Sequence, residues 1–275
     1  IEIPIPDYFN KEEEIDPDVE FSQENIDIEI PRGRKRRCGF FSYWKEGSAL
    51  FIDYEVPLLN VKLIIDDLQG KTKVRFTKAY GKFAKVNYLL YNILQIKLIQ
   101  KNCTFIHAGC LNYLGEQSFL FSALGETGKT STVLSLFDGE DFKFMSDDQT
   151  IISKNGEAYS YPTKVRISPY TLTGSVMSPQ VETIRTKLAK SQLLTLFSQY
   201  LLKREVTTEM EVPHNLIEDR GIIKKVFILS GSAEKEEIRE IDNTEALRKI
   251  LITSTDLLTG PFKRYQLQYY STILD

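Results

Sequence analysis

Residues 117–148 constrain the fold more than any other part of the chain, and they read QSFLFSALGETGKTSTVLSLFDGEDFKFMSDD. The apolar run at 119–121 predicts a buried strand. The octapeptide Ala-Leu-Gly-Glu-Thr-Gly-Lys-Thr at 123–130 follows, and its last three residues fit a phosphate-binding loop whose first glycine is replaced by Ala123. A helix over 131–137 and a second strand over 142–148, which ends in two carboxylates, complete the predicted arrangement.

The positions of this loop suit nucleotide binding. Its backbone N–H groups would hold phosphate oxygens, and a helix that begins near Gly128 adds the positive end of its dipole. Lys129 would reach the outer phosphates, and the hydroxyl of Thr130 would bind magnesium. The predicted nucleotide-binding residues are Ala123, Leu124, Gly125, Glu126, Thr127, Gly128, Lys129, Thr130 and Ser131.

A Gly-Lys-Thr tripeptide alone is a weak indication, because it arises by chance in about one chain in ten of this length. The alternative is an ordinary strand–turn–helix connection with a helix-capping lysine and an exposed acidic turn. The flanking strand, the helix and the acid pair Asp147-Asp148 favour the phosphate-binding interpretation. Ala123 and Glu126 oppose it, since a methyl group hinders the tight turn that glycine permits and a carboxylate repels phosphate.

Residues 104–166 resemble the HPr kinase/phosphorylase family and its relative phosphoenolpyruvate carboxykinase. The octapeptide resembles their ATP loop, Ser146-Asp147-Asp148 matches their Ser/Gly-Asp-Asp strand end, and Phe-Ile-His-Ala-Gly at 105–109 matches the kinases' His-containing strand. The resemblance implies an α/β (α+β) fold in which flanking helices surround a mixed β-sheet. It also implies ATP and Mg²⁺ as cofactors.

The resemblance further implies a role for each site residue. Asp147 would be the general base, while Thr130 and Asp148 would hold the metal; the sequence leaves open which aspartate does which. Lys129 would bind the phosphates. His107 would lie near the transferred phosphate, where it orients an aspartate or stabilises charge, although a strand histidine by itself is more often a hydrogen-bonded core residue. The implied acceptor is a serine hydroxyl of a protein or a small hydroxylated metabolite.

Three other functions stay open. A nucleotide-binding regulatory module without efficient turnover is favoured by Glu126 and Ala123. A decarboxylating phosphotransferase follows from the carboxykinase resemblance, but the chain is short for that family. A nucleic-acid-binding protein would use the basic run at 32–37, yet this run has no interleaved aromatic residues, and a net charge of −3 gives no global reason to bind nucleic acid or an anionic membrane.

Three cations are candidates for binding an anionic substrate. Lys164 and Arg166 alternate with apolar residues, so both lie on one side of an extended segment. Arg220 follows an acidic turn. Simple surface exposure is an equal alternative for the first two and the better one for Arg220.

Composition patterns divide the chain into an acidic, flexible segment (1–25), a β-rich region closed by a helix over 84–100 (26–100) and the kinase-like domain (101–275). The first strand is predicted at 26–30. Further elements are a hairpin around Asn155-Gly156, helices over 181–204 and from Asp242 to about Thr255, and a strand over 222–230. A loop over 171–179 and a tail over 261–275 complete the domain.

The three cysteines, Cys38, Cys103 and Cys110, have neither metal-finger spacing nor an even count, which favours a reducing compartment. The sequence shows no signal peptide and no membrane-spanning run, so a cytoplasmic location is expected. Related kinases form oligomers, so the resemblance makes a homo-oligomer an expectation as well.

Overall fold

A computed structural model provides the structure of the protein, and it describes residues 7–9, 16–27, 36–38, 41–83, 86–125, 127–137, 140–167, 208–231 and 237–255. The chain divides into two compact units between Lys97 and Leu98, and Asp7–Phe9 belong with the second unit. The predicted helix over 181–204, the loop over 171–179 and the tail over 261–275 lie outside the described residues. No helix in the described ranges has the length and apolar content needed to cross a bilayer.

The described part of the first unit contains a six-stranded sheet with the order β1-β6-β5-β4-β3-β2. The strands are β1 (Val19–Gln23), β2 (Arg36–Cys38), β3 (Phe41–Glu46), β4 (Ala49–Tyr54), β5 (Val61–Asp66) and β6 (Thr72–Phe76). All neighbours are antiparallel except β1 and β6. Trp44 and Phe51, which face each other across β3 and β4, stack with ring centroids 5.0 Å apart.

Strand β1 corrects the prediction of a flexible segment over 1–25. Val19 and Phe21 alternate with polar residues, and this short pattern pairs in parallel with β6, which supplies the hydrogen-bonding partner that the sequence did not reveal. Residues 26 and 27 are the described part of the strand predicted at 26–30, and neither lies in a strand. Ile26 is nevertheless buried. Its remaining residues lie outside the described ranges.

Two helices follow β6. Helix α1 spans Lys78–Phe83, and α2 spans Val86–Gln100, close to the predicted helix. The buried Lys97 on α2 donates hydrogen bonds to the carbonyl groups of Leu68 and Gly70. This amine is therefore satisfied by the backbone of its own unit, as a buried polar group must be.

The described part of the second unit contains a seven-stranded mixed sheet with the order β10-β8-β9-β15-β12-β11-β7. Its strands are β7 (Cys103–Ile106), β8 (Ala108–Tyr113), β9 (Gln117–Ala123), β10 (Phe142–Ser146), β11 (Thr150–Ser153), β12 (Glu157–Tyr159) and β15 (Arg220–Leu229); β13 (Val165–Ile167) pairs separately with β14 (Thr208–Met210). Helices α3 (Lys129–Leu136) and α4 (Asn243–Thr255) accompany the sheet. The mixed α+β class predicted from the sequence is confirmed.

Two local predictions in this unit are also confirmed. Strands β11 and β12 form the antiparallel hairpin, and Gly156 in its turn has φ +80°, a conformation that favours glycine. Helix α4 begins where the capping pattern predicted, because the Asp242 carboxylate accepts hydrogen bonds from the backbone N–H groups of Thr244 and Glu245.

The strand order brings the two ends of this sheet together. His107 alone connects β7, at one end of the order, to β8, next to the other end. Residues 147–149 likewise connect β10 to β11, which also lie near opposite ends. The sheet must therefore curl, and the hydroxyl of Thr150 donates a 2.8 Å hydrogen bond to the carbonyl of Ala108 where the ends meet. Both short connections carry predicted site residues.

Candidate functional site

The loop between β9 and α3 connects a strand to a helix, in the order that the sequence predicted. Ala123 is buried at the end of β9, and Gly128 precedes the helix with φ +90°, in the left-handed region that favours glycine. Within the loop, the hydroxyl of Thr127 donates a 2.7 Å hydrogen bond to the carbonyl of Leu124. Glu126 lies outside the described residues. Helix α3 starts at Lys129, directly after Gly128.

The first two residues of α3 contact the two carboxylates that follow β10. The ammonium group of Lys129, only 8% exposed, lies 2.7 Å from Oδ1 of Asp148. The hydroxyl of Thr130 donates a 3.1 Å hydrogen bond to Oδ2 of Asp147. The side chains of the loop and of the acid pair, separate in sequence, therefore form one cluster.

His107 joins the same cluster from the connection between β7 and β8. Its Nε2 atom lies 2.9 Å from Oδ1 of Asp148, and its Nδ1 atom lies 3.0 Å from the carbonyl oxygen of Thr253 on α4. Each ring nitrogen of His107 therefore faces an oxygen atom of a different element. The Asp148 carboxylate lies between this ring and the ammonium group of Lys129.

The two neighbouring aspartates have opposite electrostatic environments. Burial raises the pKa of Asp147 to about 6, against the lowering effects of the Lys129 charge and the Thr130 hydrogen bond. For Asp148, partial burial acts to raise the pKa, but the hydrogen bond from His107 and the charge of Lys129 outweigh it and hold the pKa well below its usual range. Asp148 is therefore a fixed anion, whereas Asp147 can gain or lose a proton near neutral pH.

One oxygen of Asp147 lacks a partner. Among the described residues, none donates a hydrogen bond to the buried Oδ1 atom, although the residue is only 6% exposed. A buried acceptor of this kind calls for a proton, a water molecule or a cation. Two carboxylates and the Thr130 hydroxyl form an all-oxygen set, which suits Mg²⁺ better than a softer metal.

The described residues contain no group of three or more His, Cys, Asp or Glu side chains that could hold a metal by themselves. Thr130 and one of the two aspartates could hold Mg²⁺ of the kind that one or two carboxylates share with substrate phosphates, which leaves the other aspartate as the base. The residues present therefore fit the ion, provided that a phosphate supplies further oxygens.

Gly109 allows the strand, the helix and the acid pair to approach one another. A Cβ atom at this position would lie 2.6 Å from Cγ2 of Val133 on α3 and 2.9 Å from the carbonyl oxygen of Asp147. Both distances are far below van der Waals contact. Only glycine lets β8 pass this close to α3 and to the backbone of Asp147. This close approach explains why a glycine stands two residues after His107.

The three candidate substrate cations lie apart from these contacts. Lys164, Arg166 and Arg220 are exposed, and Arg166 lies opposite Glu209 in the register of β13 and β14. Arg220 opens β15, opposite Tyr159. The contacts described above that join the loop, the acid pair and His107 include none of them.

The basic run at 32–37 lies partly outside the described residues. Its described members, Arg36 and Arg37, are exposed on β2 of the first unit. Arg37 forms a 3.0 Å salt bridge with Glu55. This salt bridge lies within the first unit.

Sequence reasoning missed the contribution of α4 and of Ser122. The Ser254 hydroxyl accepts a 3.2 Å hydrogen bond from the backbone N–H of His107, and the Ser122 hydroxyl donates a 3.0 Å bond to the carbonyl of the same residue. The sequence predicted α4 itself but gave no indication of where its last turn would lie.

Comparisons with known proteins add no family assignment. No protein-family model matches the chain, and no curated protein matches it either.

Proposed function

We propose that this protein is an ATP-dependent phosphotransferase that resembles HPr kinase, with a core related to that of phosphoenolpyruvate carboxykinase. The observation that carries the proposal is the pairing of consecutive residues: Lys129 and Thr130, at the start of α3, contact Asp148 and Asp147 at the end of β10. Phosphoryl transfer needs cations, hydrogen-bond donors and an acceptor of one proton, held in fixed positions. This cluster holds all three kinds of group.

Lys129 and the loop amides would bind the outer phosphates of ATP. In the structure the Asp148 carboxylate forms a salt bridge with the ammonium group of Lys129. A phosphate group must therefore replace this carboxylate when the nucleotide binds. His107 and Lys129 are then both close to the phosphate that is transferred, where positive charge stabilises the transition state. Magnesium, when bound, would neutralise charge on the phosphates.

Asp147 would serve as the general base. The acceptor oxygen attacks the terminal phosphorus atom, the bond from phosphorus to the bridging oxygen of ADP breaks, and the hydroxyl proton passes to Oδ1 of Asp147. This oxygen is buried and has no hydrogen-bond donor among the described residues, so it can accept the proton once the side chains around it move to admit an acceptor hydroxyl. Thr130 holds the other carboxylate oxygen and thereby fixes the orientation of the base.

The proposal includes the finer expectations from the sequence. ATP and Mg²⁺ are the cofactors, and a protein serine or a small hydroxylated metabolite accepts the phosphate. A cytoplasmic location and a homo-oligomeric assembly belong to the proposal through the resemblance to HPr kinase, whereas nucleic acid is not an expected partner.

The test is a transfer assay with Mg²⁺ and ATP labelled on the terminal phosphate, incubated with a cell lysate and separately with a metabolite pool. We expect label to reach an acceptor with the wild-type protein. Lys129→Ala should weaken nucleotide binding by about 100-fold, because a buried cation at the phosphates is lost. The control is Lys154→Ala, which removes an exposed lysine in the β11–β12 turn and should leave binding unchanged. Equal affinity in wild type and Lys129→Ala would refute nucleotide binding at this loop.

A second candidate function is a nucleotide-binding regulatory module without efficient turnover. One observation favours it: Asp148 already contacts both Lys129 and His107, so these side chains have partners in the protein without nucleotide. Nucleotide binding that depends on Lys129, with no label transferred to any acceptor, would support this function over the kinase.

A further inference from the structure

We propose that the last turn of helix α4 belongs to the phosphoryl-transfer site, where Thr253 and Ser254 position the ring of His107. This inference rests on the proposed kinase function, because His107 is taken to act on the transferred phosphate. Neither residue belongs to the phosphate-binding loop or to the acid pair. Both are positioning residues, because they act through His107.

The contacts of His107 with α4 involve both its backbone and its ring. The His107 N–H donates to the hydroxyl of Ser254 at 3.2 Å, and Nδ1 of the ring lies 3.0 Å from the carbonyl oxygen of Thr253. Two consecutive residues of one helix turn therefore hold both parts of the histidine. The remaining ring nitrogen, Nε2, is directed at Asp148.

A third residue closes this arrangement from the neighbouring strand. The hydroxyl of Ser122, on β9, donates to the carbonyl of His107 at 3.0 Å and lies 2.9 Å from the hydroxyl of Thr253. Ser122 is fully buried and Thr253 is 3% exposed, so these bonds are shielded from water. Shielded hydrogen bonds that share members fix a single geometry more firmly than exposed ones.

The position of His107 in the chain explains why it needs this support. It is the only residue between β7 and β8, so strand pairing holds its neighbours but not the direction of its ring. The Thr253 carbonyl lies in the last turn of α4, where the helix dipole favours a cationic donor. Helix α4 therefore selects the ring orientation that points Nε2 at Asp148 and at the phosphate that would replace it.

The first experiment measures His107 in the protein without nucleotide, so it does not depend on activity. The chain has two histidines, and His214→Gln assigns the imidazole signals of the other by NMR. We expect the Nδ1 proton of His107 to exchange slowly in wild type. Combined Thr253→Val and Ser254→Ala keeps the Thr253 carbonyl that Nδ1 faces but removes the two hydroxyls that hold this helix turn to Ser122 and to the His107 backbone, so the exchange should accelerate by about tenfold or more. Thr244→Val, at the exposed start of α4, is the matched control and should cause no change.

The second experiment is a double-mutant cycle on phosphate transfer. Ser254→Ala should lower kcat by about fivefold with nucleotide affinity unchanged, and the same change in a His107→Gln background should have almost no effect, because positioning residues act through their target. Ser254→Thr keeps the hydroxyl and should restore kcat. A residue that merely stabilises α4 would lower kcat equally in both backgrounds.

The outcomes separate this inference from the proposed function. Unchanged proton exchange in the Thr253→Val, Ser254→Ala protein overturns the positioning role, as does an equal effect of Ser254→Ala with and without His107. If exchange accelerates and the cycle shows coupling, the inference holds. If the wild-type protein binds no nucleotide, the proposed function fails. The positioning of His107 for phosphate transfer then fails with it, even where exchange of the Nδ1 proton shows that α4 holds the ring.

Discussion

The site has two halves that differ in their access to water and in their partners. The inner half consists of Thr130 and Asp147, a residue that is 6% exposed and that accepts a hydrogen bond from the Thr130 hydroxyl. The outer half consists of Lys129, His107 and Asp148, whose side chain is 57% exposed and contacts both other members. Two adjacent aspartates therefore experience opposite fields within one cluster.

This difference shows how one short connection can separate two chemical tasks. A carboxylate that remains anionic beside a lysine and a histidine is suited to charge balance and metal binding but is a weak base. A buried carboxylate with one unpartnered oxygen has a higher proton affinity and is suited to accept a proton. The geometry therefore supports the assignment of Asp147 as base and Asp148 as the metal and charge-balancing ligand, which the sequence left open.

The largest expected effect comes from removing the base in the inner half. Asp147→Asn keeps the shape and the Thr130 contact but cannot accept a proton, so kcat should fall by about 1,000-fold. Nucleotide affinity should stay within a factor of about three, because the proposal assigns phosphate binding to the outer half. Asp148→Asn serves as the comparison in the same transfer assay. A greater loss of kcat in Asp148→Asn than in Asp147→Asn would reverse the assignment of the two aspartates.

The second-largest expected effect concerns Gly109, where β8, α3 and the acid pair approach one another. Gly109→Ala places a methyl group 2.6 Å from the Val133 side chain and 2.9 Å from the Asp147 carbonyl, so β8, α3 or the acid pair must move. We expect the free energy of unfolding to fall by about 2–3 kcal/mol, as for other overpacked sites. Urea unfolding measures this. Gly231→Ala, where a Cβ atom would meet nothing within 4 Å, is the matched control. Equal stability of the two variants would mean that the site tolerates expansion.

The sequence predicted the inner elements of this site because their determinants are local. An apolar strand, a Gly-Lys-Thr helix start and an acidic strand end lie within residues 117–148, so their period and loop chemistry predict each element, and the family resemblance implied that Lys129 and the acid pair share a site. The start of α4 was predictable for the same reason, since the Asp242 cap acts on the next three residues. Local patterns identify such elements without knowledge of the rest of the fold.

The sequence could not predict the contacts that depend on distant pairing. Residues 104–113 read as one continuous strand, whereas the structure divides them at His107 into strands that lie near opposite ends of the sheet. The Thr253 carbonyl that holds this histidine is 146 residues away in sequence. Nothing in a periodic pattern encodes which strand ends meet after a sheet curls. The parallel pairing of β1 with β6 was missed for the same reason.

A smaller effect links the inner half to stability. The pKa of Asp147 rises from an ordinary value of 3.8 to about 6 on folding, so the folded state binds more protons than the unfolded state between these values. Wild-type stability should therefore fall as pH rises from about 4 to about 6 and stay lower above that range. Asp147→Asn avoids this cost and should be more stable by about 2 kcal/mol at pH 7.5, with little gain at pH 4.

Thermal unfolding in a chelating buffer at the two pH values measures this difference. Asp27→Asn removes an exposed carboxylate of the first unit and should show no such pH-dependent gain. An Asp147→Asn protein that is less stable than wild type at pH 7.5 would show that the ionised carboxylate has a partner that compensates its burial.

The smallest expected effect concerns the outer half. The Asp148 carboxylate contacts Lys129 and His107, so a bound phosphate must displace it. Asp148→Asn should therefore strengthen nucleotide binding in the absence of magnesium by about fivefold, which is the magnitude of one exposed ion pair. With magnesium present the advantage should disappear or reverse, since the ion loses a carboxylate ligand. Titrations of nucleotide with and without Mg²⁺ measure both. Lower affinity of Asp148→Asn in the magnesium-free titration would mean that Asp148 supports the bound phosphates through His107 and Lys129 and does not compete with them. The two halves would then act as one rigid site.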